Sequence, residues 1–219
     1  MSFRFQDRAD AGRLLADKLE DYANHSDVVV LGLPRGGVPV AYEVARRLNA
    51  PLDIFLVRKL GVPGQDELAM GAIASGGVCF FNSGTFGISP RAVEAVVARE
   101  RVELKRRETA FRTGPLIELR DRLVILVDDG LATGATMRAA VLAVREHAPK
   151  RVVVAVPVAA PETVEEFARE VGEIVCLQAP EEFTGVGQWY NDFTQTTDKE
   201  VRALLAAASR RFEKIETGR

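Results

Sequence analysis

The chain of 219 residues is long enough for one domain with a substantial core, and its composition (47% hydrophobic, 27% charged) is typical of a globular protein. Its net charge of −2 gives no overall basic surface, which argues against a nucleic acid or an anionic membrane as partner. The two cysteines, Cys79 and Cys176, lie far apart without CxxC spacing, so a zinc site is not indicated. Two reduced thiols are favoured, and a single disulfide stays open.

The sequence carries no recognisable targeting or membrane signal. MSFRFQDRADAG is polar where a secretory signal would be apolar, and no apolar run approaches the roughly 20 residues that span a bilayer. We therefore expect a cytoplasmic protein without membrane contact.

The first quarter of the chain predicts a βαβ unit. Apolar residues at helical spacing predict an opening amphipathic helix over residues 8–23. The β-branched run VVVLGL (28–33) predicts a buried strand, VPVAYEVARRLNA (38–50) predicts a helix, and a second strand is expected near 53–58.

From Leu60 onwards the spacing of apolar residues becomes less regular. GVPGQDE is rich in turn formers, and MGAIASGGVCFFN predicts a short β-hairpin around residues 75–77. A long and largely solvated helix follows, for which Ser89 is the expected N-cap and Pro90 the first helical residue.

The second half alternates strands and helices. Strands are predicted over 122–127 and in the runs RVVVAVPVAA and EIVCLQ, with helices after GATM and from Pro161. PEEFTGVGQWYNDFTQ is aromatic and irregular, and TDKE (197–200) fits a capping box for a final helix. Continuous apolar strands alternating with helices predict an α/β fold with a doubly wound, mostly parallel sheet. No linker divides residues 1–219 into separate domains.

Two adjacent carboxylates end the predicted third strand of the parallel sheet. In VILVDDGLATGATM (124–137), an apolar run leads into Asp128 and Asp129 and then into a turn of small residues that opens a helix. Ligands of open parallel sheets bind beyond the carboxyl ends of the strands, and amides at a helix N-terminus favour a phosphate. The stretch therefore indicates a ligand with both a phosphate and hydroxyl or metal groups.

Other interpretations of this stretch are weaker. Asp-Gly can form a hairpin turn, but the segment after it is helical; a solvated turn with a helix cap stays open. The chain has no GxxxxGK[ST] loop, and GLPRGG lacks the spacing of a dinucleotide-binding fingerprint. The two acids are adjacent, whereas aspartyl-phosphate phosphatases place theirs two residues apart.

The segment from Val124 to Thr136 resembles the phosphoribosyl-pyrophosphate signature of the type I phosphoribosyltransferases, in which an apolar strand, two acids and a Thr-Gly-x-Thr loop follow one another. LPRGGVPVA (33–41), VRKLGVPGQDELAMGAIASGG (57–77) and VGQWYNDFTQTTDKEV (186–201) resemble one branch of this family, the uncharacterised bacterial phosphoribosyltransferases. The resemblance covers nearly the whole chain.

The resemblance implies two additions to the sheet. A flexible loop or hairpin insertion would cover about residues 60–121, and a small C-terminal hood about residues 180–219. In the family a mobile segment after the second strand closes over the reacting centre. In LGVPGQDEL, Asp66 or Glu67 would then face the ligand, and an ordinary connecting loop is the alternative.

The resemblance also assigns roles to matching residues. Asp128 and Asp129 would bind the ribose 2- and 3-hydroxyls directly or through the water shell of Mg²⁺, and the loop after them would hold the 5-phosphate. PRGG would form the pyrophosphate loop, often with an unusual peptide geometry, and the basic pair at the end of the second strand would also contact pyrophosphate.

The residues implied in catalysis are Arg35, Arg58, Lys59, Asp128 and Asp129. The residues implied in ligand binding are these five with Pro34, Gly36, Gly37, Gly130, Leu131, Ala132, Thr133, Gly134, Ala135 and Thr136. A solvated strand end is the alternative for the basic pair.

The acceptor is the least defined part of the prediction. Phe183, Trp189, Tyr190 and Phe193 are candidates to stack on a planar base, and a satellite core is the alternative. Enzymes of the family that use 6-oxopurines usually carry an acid where this chain has Ala132, which argues against hypoxanthine or guanine.

These features predict a magnesium-dependent enzyme that transfers the phosphoribosyl group of phosphoribosyl pyrophosphate to a small nitrogenous acceptor. A homodimer is compatible with the sequence. Cleavage at ribose carbon 1 needs a stabilised leaving group and a positioned acceptor, and no separate nucleophile. The main alternative is a non-catalytic regulator that senses phosphoribosyl pyrophosphate or a nucleotide; the intact basic and acidic residues favour catalysis. A hydrolase acting on the same ligand stays open.

Overall fold

The computed structural model describes residues 3–81, 87–111 and 115–217, without the side chains of residues 66, 67, 69 and 213–217. In chain order the helices and strands are α1 (Arg8–Lys18), β1 (Val28–Gly32), α2 (Gly37–Leu48), β2 (Leu52–Ile54), β3 (Val57–Val62), β4 (Gln65–Ala74), β5 (Cys79–Phe81), α3 (Pro90–Phe111), β6 (Leu123–Val127), α4 (Ala135–Arg145), β7 (Arg151–Val158), α5 (Pro161–Val171), β8 (Ile174–Gln178) and α6 (Asp198–Thr217).

The central sheet has the order β2-β1-β6-β7-β8, and every pair of neighbouring strands is parallel. From β1 the chain first adds β2 on one side and later adds β6, β7 and β8 on the other. The strand order therefore reverses between β1 and β6, which is the position where open α/β sheets bind ligands. The predicted doubly wound parallel sheet is confirmed.

Helices cover both faces of this sheet. All five residues of β1 are buried, because successive side chains point to opposite faces and each face has its own helical layer. Val28 and Val30 pack with the apolar residues of α1 and α2, whereas Val29 and Leu31 pack with those of α4. A continuous apolar strand is thus the expected sequence for this position.

A second, antiparallel sheet has the order β3-β4-β5 and packs against α3 and α6. The predicted second strand near 53–58 is wrong as one element, since β2 ends at Ile54 and β3 begins at Val57. The amide of Phe55 still bonds to the carbonyl of Gly32, but the next amide, that of Leu56, bonds to Ser75 Oγ. The chain changes sheets at this point.

The turn-rich segment after Leu60 is a β-hairpin and not an irregular loop. β3 and β4 pair in antiparallel register around a turn in which Gly64 has φ +80°. The side chains of Asp66 and Glu67, predicted to face the ligand, lie outside the described residues. The hairpin predicted around residues 75–77 is present between β4 and β5.

The predicted helix caps are confirmed. Ser89 Oγ accepts a hydrogen bond from the amide of Ala92 at the start of α3. Thr197 and Glu200 form a reciprocal capping box at α6: the amide of Glu200 donates to Thr197 Oγ1, and the amide of Thr197 donates to Glu200 Oε2. Among the described residues, no helix has the length and apolarity needed to cross a membrane.

The C-terminal region divides into two parts. Residues 186–190 pack against the N-terminal segment, where the amide of Phe5 bonds to the carbonyl of Trp189. Helix α6 packs against the small sheet and α3, and Arg202 donates to the carbonyl of Ala110. The predicted insertion and the predicted C-terminal hood therefore share one apolar cluster.

Leu104→Ala is expected to lower the free energy of unfolding by about 2–5 kcal/mol, because it removes a buried side chain from the cluster between α3 and the small sheet. Val102→Ala on the same helix is the control, since Val102 is 71% exposed and its loss should change stability by about 0.5 kcal/mol or less. Urea denaturation measures both. Equal effects would contradict the packing of α3 on this sheet.

Candidate functional site

The two predicted site loops lie side by side at the carboxyl ends of β1 and β6. These strands pair in parallel from Val28 and Leu123 to Gly32 and Val127. The amide of Leu33 then donates to the carbonyl of Val127 at 2.9 Å, which extends the pairing to the last residue before both loops. PRGG and the acid pair are neighbours for this reason.

The PRGG loop lies directly on the acid pair. The peptide bond between Pro34 and Arg35 is cis. A Cβ atom on Gly36 would lie 2.0 Å from Asp129 Oδ2, and one on Gly37 would lie 2.7 Å from the carbonyl oxygen of Val127. Any larger residue at either position would push the loop away from the acids, so the closeness of the two segments requires both glycines.

The acid pair is partly buried and is held by neighbours on several sides. Asp128 Oδ1 accepts the amide of Asp129 at 2.8 Å, and Asp129 Oδ2 accepts Arg8 Nε at 2.8 Å. The hydroxyl of Tyr190 donates to the backbone carbonyl of Asp129 at 2.6 Å. Burial, and then the charge of Asp129, raises the pKa of Asp128 well above its ordinary value. The site thus contains two carboxylates whose like charges oppose each other.

The loop after the acids, residues 130–136, was predicted to hold a phosphate and is called the phosphate cradle below. Gly134 has φ +69° and lies against the Phe167 ring, where a Cβ atom would be only 2.4 Å from a ring carbon. The carbonyls of Ala132 and Thr133 accept hydrogen bonds from Thr163 Oγ1 at 2.6 Å and from Arg138 at 2.7 Å.

These bonds turn the loop carbonyls towards the neighbouring helices. The amides at the start of α4 have no acceptor within their own helix, as at every helix N-terminus, and so can bind an anion. Ala132, Thr133, Ala135 and Thr136 are exposed and border this space. Gly130 and Leu131 connect the cradle to β7, since the amide of Leu131 donates to the carbonyl of Val158.

The three basic residues predicted to contact pyrophosphate have different surroundings. Arg35 lines a cavity of about 280 Å³ beside Pro34, and one of its guanidinium nitrogens lies 3.5 Å from Asp198. Arg58 lies in β3 and not at the end of a strand of the central sheet, and its Nε donates to Glu100 Oε2 at 2.7 Å. Lys59, the next residue of β3, is exposed.

The partly buried pair between Arg58 and Glu100 joins α3 to the small sheet. Burial alone would raise the pKa of Glu100, but hydrogen bonds from Arg58 and Arg99 bring it below its ordinary value. The geometry therefore gives Arg58 a partner within the fold, which the sequence did not indicate.

Two arginines that the sequence did not single out line the same cavity as Arg35. Arg106 and Arg107 lie near the end of α3, and both bond to Glu103 on their own helix. Charged residues on a long helix are usually solvated, so no local signal separates these two from the other charges of α3. Only the packing of α3 beside the PRGG loop brings them to the site.

The aromatic residues predicted to stack on a base lie mainly in a satellite core. Tyr190 is 4% exposed and packs against Phe5 with 5.3 Å between ring centroids, so it has no open face for a base. Phe183 and Trp189 are partly buried in the same cluster. Phe193 is more exposed, and the guanidinium of Arg8 lies over its ring. For Tyr190, the alternative interpretation of these aromatic residues, a satellite core, is therefore the correct one.

The donor set of the acid pair fits a weakly held Mg²⁺ ion. Within the described part of the chain, no group of three or more His, Cys, Asp or Glu side chains could hold a metal ion. Mg²⁺ commonly keeps several waters and binds through one or two carboxylates together with phosphate oxygens of the substrate. Asp128 and Asp129 supply such carboxylates next to the phosphate cradle.

A family model and several known proteins match this chain. A family model described as the phosphoribosyl transferase domain matches residues 6–188. A Mycobacterium tuberculosis (strain CDC 1551 / Oshkosh) protein, named as a candidate phosphoribosyl transferase, is 50% identical over 213 residues, which are 95% of this chain and 48% of that protein. The chain spans about half the length of the curated relatives it matches.

Solved structures show the same fold. The protein TT1426 from Thermus thermophilus is 46% identical, with a TM-score of 0.83 over 94% of this chain and 99% of that one. The AQ2163 protein from Aquifex aeolicus is 16% identical, with a TM-score of 0.50 over 90% and 85% of the two chains, and shows a likeness of fold alone. Because the family model covers most of the sequence and close relatives align with nearly all of it, the chain belongs to the phosphoribosyl transferase domain family.

Proposed function

We propose that this protein transfers the phosphoribosyl group of phosphoribosyl pyrophosphate to a nitrogenous acceptor, with Mg²⁺, and releases pyrophosphate. The observation that carries the proposal is the contact of three ligand-binding elements at one point of the sheet. The acid pair leads directly into the phosphate cradle, and Gly36 of the PRGG loop lies on Asp129. One ligand with a sugar, a terminal phosphate and a pyrophosphate would occupy all three.

The 5-phosphate would bind at the N-terminus of α4. The amides of the loop and the hydroxyls of Thr133 and Thr136 are donors without charge, and the positive end of the helix favours an anion. The bonds from Thr163 and Arg138 to the loop carbonyls hold these amides in place before the ligand arrives. Such preorganisation lowers the entropic cost of binding.

The acid pair would hold the sugar. Carboxylate oxygens accept hydrogen bonds from vicinal hydroxyls, and Asp128 and Asp129 lie between the phosphate cradle and the PRGG loop. When bound, Mg²⁺ would supply positive charge that stabilises the leaving pyrophosphate. The two carboxylates would contact its water shell.

The reaction would exchange one bond at ribose carbon 1 for another. The bond to the pyrophosphate oxygen breaks and its electron pair leaves with pyrophosphate, while the lone pair of the acceptor nitrogen forms the new bond. A nitrogen that carries a proton releases it to solvent. The centre is oxocarbenium-like in between, so the task of the protein is to stabilise the leaving group and align the acceptor.

The cavity beside the PRGG loop would receive the negative charge of the pyrophosphate. Arg35, Arg106 and Arg107 provide three positive charges around it, against the negative charges of Glu103 and Asp198. Arg35 is the one that belongs to the PRGG loop itself. This arrangement supports Arg35 as a pyrophosphate contact more strongly than Arg58, whose partner is Glu100.

The proposed activity is tested by incubating the protein with phosphoribosyl pyrophosphate, Mg²⁺ and single bases, and measuring pyrophosphate release. Release with one base would identify the acceptor, and Ala132 leads us to expect no turnover with hypoxanthine or guanine. The double variant D128N/D129N should lose ligand binding in calorimetry while its circular dichroism spectrum stays unchanged, because it removes both charges and little volume.

Three outcomes would contradict the proposal. Unchanged affinity of D128N/D129N would refute the assignment of the sugar site. Tight binding without turnover on any acceptor would favour the sensing regulator. Pyrophosphate release that needs no acceptor would favour a hydrolase.

Arg35→Ala and Arg58→Ala are expected to fail in different ways. Loss of a charge-assisted hydrogen bond to pyrophosphate in Arg35→Ala should weaken phosphoribosyl-pyrophosphate binding about tenfold or more, with little change in stability. Arg58→Ala leaves Glu100 without its partner in β3 and should lower the free energy of unfolding by about 1–3 kcal/mol. Calorimetric titration and thermal denaturation compare the two. If Arg58→Ala loses as much affinity for phosphoribosyl pyrophosphate as Arg35→Ala, Arg58 also contacts the pyrophosphate.

A further inference from the structure

Arg8 belongs to the candidate site, although it is the first residue of α1 and far in sequence from every motif. Its Nε donates to Asp129 Oδ2 at 2.8 Å, and the two side chains are only 11% and 15% exposed. A second guanidinium nitrogen donates to the carbonyl of Thr194 at 2.7 Å, and the guanidinium carbon lies 4.0 Å from the centroid of the Phe193 ring. An acid, a carbonyl and an aromatic face thus fix this one cation.

The pairing of residues 5–6 with residues 189–192 places Arg8 at the site. The amide of Phe5 donates to the carbonyl of Trp189, and the carbonyl of Phe5 accepts the amide of Asn191, both at 2.8 Å. The side chain of Asp7 then caps α1, so the helix starts with Arg8 directed at Asp129. Its position is therefore built into the fold and is not that of a mobile surface arginine.

The ion pair lies where the acid pair and the PRGG loop touch. A Cβ atom on Gly36 would lie 2.0 Å from Asp129 Oδ2 and 3.2 Å from Arg8 Nε. No atom can be added between the loop and the ion pair. The charge of Arg8 consequently acts at the junction between the proposed sugar site and the proposed pyrophosphate site.

Two adjacent carboxylates without a counter-charge would repel a polyanionic ligand and attract a free divalent cation. A guanidinium on Asp129 cancels one of the two charges and fixes the orientation of that carboxylate. We propose that Arg8 is a positioning residue that holds Asp129 ready for the sugar hydroxyls and keeps the acid pair from binding a free metal ion. The role of Arg8 towards the sugar hydroxyls rests on the proposed function. Its role in keeping out a free metal ion does not.

Three variants separate charge, geometry and helix stability. Arg8→Ala removes the cation, and Arg8→Lys keeps the charge but loses the two-nitrogen contact to Asp129 and Thr194. Arg13→Ala on the same helix is the matched control, because Arg13 is 51% exposed and pairs only with Asp10 within α1 among the described residues. Mn²⁺ binding to the free protein is measured by electron paramagnetic resonance, and phosphoribosyl-pyrophosphate binding with Mg²⁺ by calorimetry.

Arg8→Ala should bind free Mn²⁺ about fivefold more tightly than the native protein, since the acid pair regains a full negative charge. It should bind phosphoribosyl pyrophosphate about tenfold more weakly, because Asp129 loses its orientation and its counter-charge. Arg8→Lys should keep the native Mn²⁺ affinity and recover part of the ligand affinity. Arg13→Ala should match the native protein in both measurements.

Mn²⁺ affinity of Arg8→Ala within about twofold of the native value would overturn the inference, whatever happens to ligand binding. Mn²⁺ binding by Arg8→Lys as tight as that by Arg8→Ala would also overturn it. If Arg8→Ala does not fold, Arg8→Gln takes its place in both comparisons, because it removes the charge and keeps much of the side chain. A native protein that binds no phosphoribosyl pyrophosphate would refute the proposed function, while the Mn²⁺ comparison would still test Arg8.

Discussion

The parallel pairing of β1 with β6 is the constraint on which the site depends. The hydrogen bond from the amide of Leu33 to the carbonyl of Val127 carries this pairing to the last residue of both strands. Two loops that are distant in sequence must then leave the sheet side by side. Their contact is close enough that only glycine fits at positions 36 and 37.

Charged residues of both signs surround this contact. Burial, and then the like charge of Asp129, raises the pKa of Asp128. The fold brings cations close to this contact: Arg8 through the pairing of residues 5–6 with residues 189–192, and the arginines of α3 beside Arg35. A site with two acids in its middle and positive charge around them suits a ligand with hydroxyls between two anionic groups.

The sequence predicted the elements whose signal is local. The apolar strands, the caps at Ser89 and Thr197, and the acid pair with its small-residue loop all follow from neighbouring residues. The structure has the caps and, apart from the second strand, the strands as expected. The path of the chain after Ile54 was not predictable. All of DIFLVRKL favours β-structure, and this preference does not show which sheet each residue joins. The bond from the amide of Leu56 to Ser75 Oγ decides where it leaves the central sheet.

The sequence by itself thus determined a doubly wound parallel sheet with two acids and a loop of small residues at a strand end, because strand periodicity and loop composition depend on adjacent residues. Only the tertiary structure decided which distant side chains surround them. In the folded chain Arg58 pairs with Glu100, and Arg8 pairs with Asp129. Tyr190 lies in a satellite core, and its hydroxyl donates to the backbone carbonyl of Asp129. The local sequence around an arginine or a tyrosine does not show whether the side chain lies on the surface, in an ion pair or at a ligand. The packing of helices and strands against one another determines which of these it is.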